Sequence, residues 1–129
     1  MTCFWNGILS SLSIDDFKYI GLVDKPNIQE FIHLLKNKNT KTLNTTWNNE
    51  SLSNKQIEEN MTHIQEFNIN NINNGYYCSS CEPFLLLITQ LFLIDINHNY
   101  NGHIIKYRIN ETPRKLVKYR SDTGHFWKE

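Results

Sequence analysis

The spacing of apolar residues divides the chain into a helical first part and a strand-rich second part. Up to about residue 93, apolar residues recur three or four positions apart, which is the pattern of helices with one buried face. The segments with this spacing are 3–12, 28–35, 54–67 and 83–92. Ser13 marks a break or a new helix start, and Ser53 or Asn54 is suited to cap the third helix. The last helix starts at Pro83 and is apolar on nearly all sides, so we expect it at the centre of the core.

After residue 93 the pattern changes to short segments of the β type, separated by turns. These predicted strands are 94–100, 103–109, 115–120 and 125–127. Asn101-Gly102 is a hairpin signal between the first two strands, whereas we expect the polar segment 45–53 to form a loop. Helices followed by a small β-meander predict an α+β fold, with residues 1–129 forming a single domain.

Composition narrows the classes of function. The chain has 129 residues, with 13 basic and 13 acidic side chains, and this neutral balance argues against a nucleic-acid-binding protein. No apolar run reaches the roughly 18 residues of a membrane span, and no secretory signal is visible at the N-terminus. Three cysteines without an export signal lead us to expect reduced thiols and a cytoplasmic protein. Eighteen asparagines and no alanine point to an AT-rich genome, such as that of a virus or an AT-rich microbe.

Two residues near the ends of the chain are candidates for chemistry. Cys3 opens the first predicted helix, where the positive end of the helix dipole favours the nucleophilic thiolate. A cysteine nucleophile needs a base within hydrogen-bond reach, usually a histidine. His125 begins the last predicted strand, after Gly124 and before two aromatic residues. Taken one at a time, each is more often a structural or surface residue than a catalytic one.

The pair Cys78-Ser79-Ser80-Cys81 has the spacing of half a zinc site or of a redox motif. A zinc site needs two further ligands at matching spacing, and Cys3 is the one remaining cysteine. A redox motif of the thioredoxin type follows a strand, and none is predicted here. We therefore expect this segment to be a loop leading into the last helix, and we expect neither a metal nor a cofactor.

In their order along the chain, these segments resemble the ovarian-tumour (OTU) family of cysteine proteases. The pattern of that family begins with an aspartate, two further residues and a nucleophilic cysteine, and an apolar residue, an aromatic residue and a helix follow. Cys3-Phe4-Trp5 matches this pattern from the cysteine onward, whereas the aspartate has no counterpart in the sequence. A turn and a leucine-rich helix follow in the middle of the family pattern, and the segment 75–93 resembles them. The family pattern closes on a strand with Gly-His-aromatic, similar to Gly124-His125-Phe126. The resemblance extends over almost the whole chain and implies a papain-type fold.

The resemblance also implies a site. Cys3 would be the nucleophile and His125 the base, while Trp5, Phe126 and Trp127 are candidate walls of a narrow substrate tunnel. Family members often place an aspartate or asparagine two residues after the histidine, where this chain has Trp127. A Cys–His dyad, an acid from elsewhere in the fold, or an inactive site would each account for that difference.

The function implied is the removal of ubiquitin or a ubiquitin-like protein from conjugates by a compact, monomeric enzyme in the cytoplasm, which is the host cytoplasm if the protein is viral. The alternative is a catalytically inactive OTU-like module that binds ubiquitin or another partner. Neither hypothesis includes a nucleic acid or a membrane as a partner.

Overall fold

The computed structural model of this protein describes residues 3–122 and 124–129, without the side chains of residues 73 and 74. The helices in this part of the chain are α1 (Cys3–Ser11), α2 (Ile14–Tyr19), α3 (Ile28–Asn37), α4 (Asn54–Glu66) and α5 (Pro83–Phe92), with a 3-10 helix at Ile69–Asn74. The strands are β1 (Thr45–Trp47), β2 (Glu50–Ser51), β3 (Asp95–Tyr100), β4 (His103–Ile109), β5 (Leu116–Asp122) and β6 (His125–Lys128). The α+β fold class predicted from the sequence is therefore confirmed.

Local hydrogen bonds at the helix starts explain why the helical pattern could be located in the sequence. The residues that precede α2, α3 and α4 are Ser13, Asn27 and Ser53, and each accepts a bond from the backbone three positions later. The side chain at that later position bonds back to the cap in all three helices, which completes a capping box. Ser13 thus begins a separate helix rather than only ending α1.

A buried carboxylate fastens α2 to the beginning of β5. Asp16 is 2% exposed and accepts hydrogen bonds from Arg114 Nη1 at 3.1 Å and from Lys115 Nζ at 2.5 Å. Burial by itself would raise the pKa of Asp16, but the hydrogen bonds from Lys115 and from the Ser13 N–H outweigh burial and hold this pKa below its usual value. The ionised side chain therefore stabilises the junction at neutral pH.

The sheet has the strand order β2-β1-β4-β3-β5-β6 and is not a simple meander. β3 pairs antiparallel with β4 but parallel with β5, with Asp95 opposite Leu116 and Tyr100 opposite Ser121. The predicted meander, in which β4 would pair with β5, is wrong. β1 pairs with the second edge of β4, so that edge is not open to β5. Residues 110–115 instead carry the chain past the start of β3 to its free edge, where the Arg114 N–H donates to the Leu93 carbonyl.

The segment 45–53, which we expected to be a loop, contributes β1 and β2 to the sheet. β1 pairs with β4, so that Trp47 lies opposite Tyr107. The turn between β1 and β2 is formed by Asn48 and Asn49 at φ values of 48° and 67°. Asparagine tolerates this left-handed region better than other non-glycine residues, and two such residues make the turn of a tight hairpin. The polar composition of the segment concealed this hairpin.

The hydrophobic core lies between α5, the other helices and one face of the sheet. As expected, α5 is central, with its residues from Pro83 to Thr89 all buried. α1 packs beside the edge strand β6, and a Cβ atom built on Gly7 would lie 2.7 Å from the Phe126 ring. This close approach brings the chain's two ends together. No helix in the described ranges is long and apolar enough to cross a membrane.

Candidate functional site

A cleft of about 310 Å³ opens at the end of the sheet where β3 and β5 finish and β6 begins. Cys3, the first residue of α1, and His125, the first residue of β6, both line it. The rest of the wall comes from α1, the segment before α5, and the ends of the neighbouring strands: Phe4, Tyr76, Tyr77, Cys78, Tyr100, Asn101, Ser121, Asp122, Gly124 and Phe126. The two candidates for chemistry, distant in sequence, thus share one cavity.

The fold explains how Cys3 and His125 reach the same place. Because β3 and β5 are parallel, both end on this side of the sheet, and β6 starts at the same level, with His125 opposite Asp122. Cys3 is half-buried and His125 is exposed. Neither side chain hydrogen-bonds to the other, or to another side chain in the described ranges. Both groups are therefore uncommitted and face a shared space.

The three aromatic residues predicted as tunnel walls have different positions. Phe126 lines the cleft, with its ring 4.9 Å from the ring of Phe4. Trp5 is 1% exposed and packs against Phe84 inside the core, so its assignment as a wall is wrong. Trp127 is 40% exposed and is absent from the cleft lining, so its assignment as a wall is wrong for this cleft. It lies two residues further along β6 than His125, away from the end of the sheet where the cleft opens.

A buried histidine lies behind the cleft. His98 is fully buried in β3, its Nε2 lies 2.7 Å from Ser121 Oγ, and its Nδ1 lies 4.0 Å from Cys78 Sγ. Burial lowers the pKa of His98 to about 4, so the ring is neutral at physiological pH. Regular alternation in β3, with Ile96 and His98 on the buried face, is the signal that could have identified it.

The cleft's second cysteine has properties opposite to those of a nucleophile. Burial raises the pKa of the Cys78 thiol far above its usual value, and the negative charge of Glu82 adds to this effect. Cys78 is therefore protonated at physiological pH. The thiol contacts His98 and the Ser79 carbonyl, so it helps to form the floor of the cleft.

Glu82 fixes the chain segment that forms one wall of the cleft. Its carboxylate is fully buried, at the N-terminus of α5. It accepts hydrogen bonds from Ser79 N at 3.0 Å, from Phe84 N at 3.0 Å and from the Tyr76 hydroxyl at 2.8 Å. Burial nevertheless raises the pKa of Glu82 above its usual value. These bonds hold Tyr76 and the two residues after it in place.

The arrangement offers thiol and imidazole chemistry rather than a metal centre. Within residues 3–122 and 124–129, no three His, Cys, Asp or Glu side chains come close enough together to hold a metal ion. Cys78 and Cys81 are free thiols in the loop that leads into α5, as expected for that segment.

Comparisons with protein-family models, with curated proteins and with solved structures found no match for this chain.

Proposed function

We propose that this protein is a cysteine protease of the OTU type that removes ubiquitin or a ubiquitin-like protein from conjugates. The observation that carries the proposal is that Cys3 and His125, from opposite ends of the chain, line one cleft. A thiol at the first position of a helix and an imidazole at the same cavity supply the nucleophile and the base of a cysteine protease. The two side chains are not hydrogen-bonded to each other here, and the reaction requires them to come within that reach when substrate binds.

The chemistry follows from the two groups. Cys3 Sγ attacks the carbonyl carbon of the scissile amide or isopeptide bond, and His125 accepts the thiol proton. The C–N bond then breaks, the proton passes from His125 to the leaving amine, and water hydrolyses the thioester. Backbone N–H groups at the start of α1 would stabilise the oxyanion, since they lack helical partners and carry the positive end of the dipole.

The size and lining of the cleft support a peptide tail as the substrate. A volume of about 310 Å³ is at the lower end of the range for ligand sites and holds only a few small residues. Aromatic rings from Phe4, Tyr77, Tyr100 and Phe126 line it. Such a small, aromatic-lined cleft suits an extended glycine-rich C-terminus, as in ubiquitin.

The test is covalent capture. The protein is incubated with ubiquitin, and separately with ubiquitin-like proteins, each carrying a C-terminal electrophile, and adducts are detected by mass. We expect an adduct with the wild type and with Cys81→Ala, and none with Cys3→Ala. Cys78→Ala is the matched control inside the cleft. We expect this variant to form the adduct as the wild type does, because the protonated Cys78 thiol that it removes is a poor nucleophile.

The absence of an adduct with any of the probes would contradict the protease function and favour a second function. Trp127, at the position where an orienting acid is expected, favours the alternative of an inactive module that binds ubiquitin. In that case, unmodified ubiquitin titrated into the labelled protein would shift NMR signals of the cleft residues without any covalent product.

A further inference from the structure

We propose that Asp122 positions the His125 imidazole. It would take the role of the orienting acid, which Trp127, two residues after the histidine, cannot fill. The inference rests on the proposed function, because it assigns Asp122 a task in that reaction. It is carried by the pairing of β5 with β6 and by the composition of the cleft wall.

The strand register places the two residues side by side. Asp122 is the last residue of β5 and His125 the first of β6, and they are directly opposite each other in the antiparallel ladder. Directly opposite residues point to the same face of a sheet, with Cβ atoms about 5 Å apart. A carboxylate and an imidazole at that separation reach hydrogen-bond distance through side-chain rotation alone.

Asp122 is also the one carboxylate among the described residues that line the cleft. Both it and His125 are exposed, and neither has a hydrogen bond or an ion pair with another described residue. The nearest charged groups on the same face of the hairpin are Arg120 and Glu129, which pair with each other at 3.8 Å. The other titratable groups around the cavity are the thiols of Cys3 and Cys78 and three tyrosine hydroxyls.

The role follows from these positions. A carboxylate that accepts a hydrogen bond from one imidazole nitrogen fixes the tautomer and leaves the other nitrogen to accept the thiol proton. It also stabilises the imidazolium that forms when Cys3 loses that proton. Trp127, two residues after His125, can do neither, whereas Asp122 can do both from the neighbouring strand.

The experiment measures the tautomer of the His125 ring from its ¹⁵N NMR shifts at one fixed pH, with the ring signals assigned from their loss in His125→Asn. We expect one tautomer to predominate in the wild type and Asp122→Ala to shift the ring towards the tautomer ratio of a free imidazole, because the variant loses the carboxylate that accepts from one ring nitrogen. Glu129→Gln is the matched control on the same hairpin and should leave the tautomer ratio unchanged. The ring signals of buried His98 show in each variant that this end of the sheet is intact.

The second readout is the rate of adduct formation with ubiquitin carrying the C-terminal electrophile. We expect Asp122→Ala to slow it at least about tenfold at neutral pH and Asp122→Glu to restore part of the rate. An unchanged His125 tautomer ratio in Asp122→Ala, or an unchanged rate in that variant, would overturn the inference. Absence of an adduct with the wild type would instead contradict the proposed function, and the tautomer comparison would still show whether the pair exists.

Discussion

Replacing Gly7 by alanine tests whether α1 is held against β6 as closely as the fold requires. The added Cβ would lie 2.7 Å and 2.9 Å from two carbon atoms of the Phe126 ring and 3.4 Å from the Trp127 Cα atom. Comfortable contacts between carbon atoms are about 3.5–4.0 Å, so helix and strand must separate by up to an ångström. The ring cannot move aside easily, because Phe4 and Tyr119 pack against it with ring centres 4.9 Å and 5.0 Å away.

Two effects of opposite sign determine the magnitude. Alanine in place of glycine inside a helix stabilises it by about 0.5–1 kcal/mol. Overpacking a filled core costs about 1–3 kcal/mol. The contact with Phe126 is shorter than real Cβ atoms tolerate, so we expect the cost to exceed the gain and Gly7→Ala to lose about 1–2 kcal/mol. For a chain of this length, that lowers Tm by about 4–7 °C.

The assay is thermal and urea unfolding of four proteins: the wild type, Gly7→Ala, Phe126→Leu and the double variant. Phe126→Leu removes the ring that the new methyl group meets, so the double variant should lose about 1 kcal/mol less than the sum of the single losses. Ser10→Ala, at an exposed position of α1, raises helix propensity without a new contact on β6, and it also removes the hydrogen bond from Ser10 Oγ to the Gly7 carbonyl. A Gly7→Ala protein more stable than the wild type, or additive losses in the cycle, would refute the close packing of α1 on β6.

Three further substitutions test the buried polar groups. Asp16→Asn should lower the free energy of unfolding at pH 7, measured in urea, by about 2–4 kcal/mol, because it leaves the ion-pair partners of a buried carboxylate uncompensated. Since folding lowers the pKa of Asp16, the stability that the wild type gains from this group is present above about pH 4 and is lost as pH falls through the folded pKa. His98→Gln should flatten the pH dependence of the free energy of unfolding between about pH 6.5 and pH 4. Folding lowers the pKa of His98 to about 4, so the wild type is unaffected by this group above about pH 6.5 and loses up to about 3 kcal/mol of stability as pH falls from there to about 4. An unaltered slope in that variant would contradict the neutral buried ring. Glu82→Gln should speed hydrogen exchange of the amides of Ser79 and Phe84, which donate to this carboxylate, whereas unchanged exchange would mean that the bonds do not hold the segment.

The parts of the fold that depend on local chemistry could be predicted from the sequence. The helices follow from apolar spacing and caps such as Ser53, and β3 to β6 follow from β-type segments separated by turns. Two features could not, because they depend on distant partners. β1 is three residues long and becomes a strand by pairing with β4. β5 pairs with the free edge of β3, because β1 already covers the other edge of β4.

The candidate site divides in the same way. Residue type and order along the chain selected Cys3 and His125, and the structure places them in one cleft. Spacing alone could not show that Trp5 lies in the core or that Trp127 is absent from the cleft lining. Glu82 was invisible as a functional support, because an acidic residue before a helix usually remains in solvent as a cap.

The proposed role of Asp122 illustrates why neighbours in a site are better defined by strand pairing than by distance along the sequence. Within β6, a residue that shares a face with His125 lies two positions away, and Trp127 occupies that place. Across the antiparallel pair of β5 and β6, the directly opposite residue shares the same face and is closer in space than a second neighbour along the strand. Asp122 occupies that opposite position. Under the proposed function, a carboxylate on β5 would therefore take the place of the acid that β6 lacks, without any change in fold.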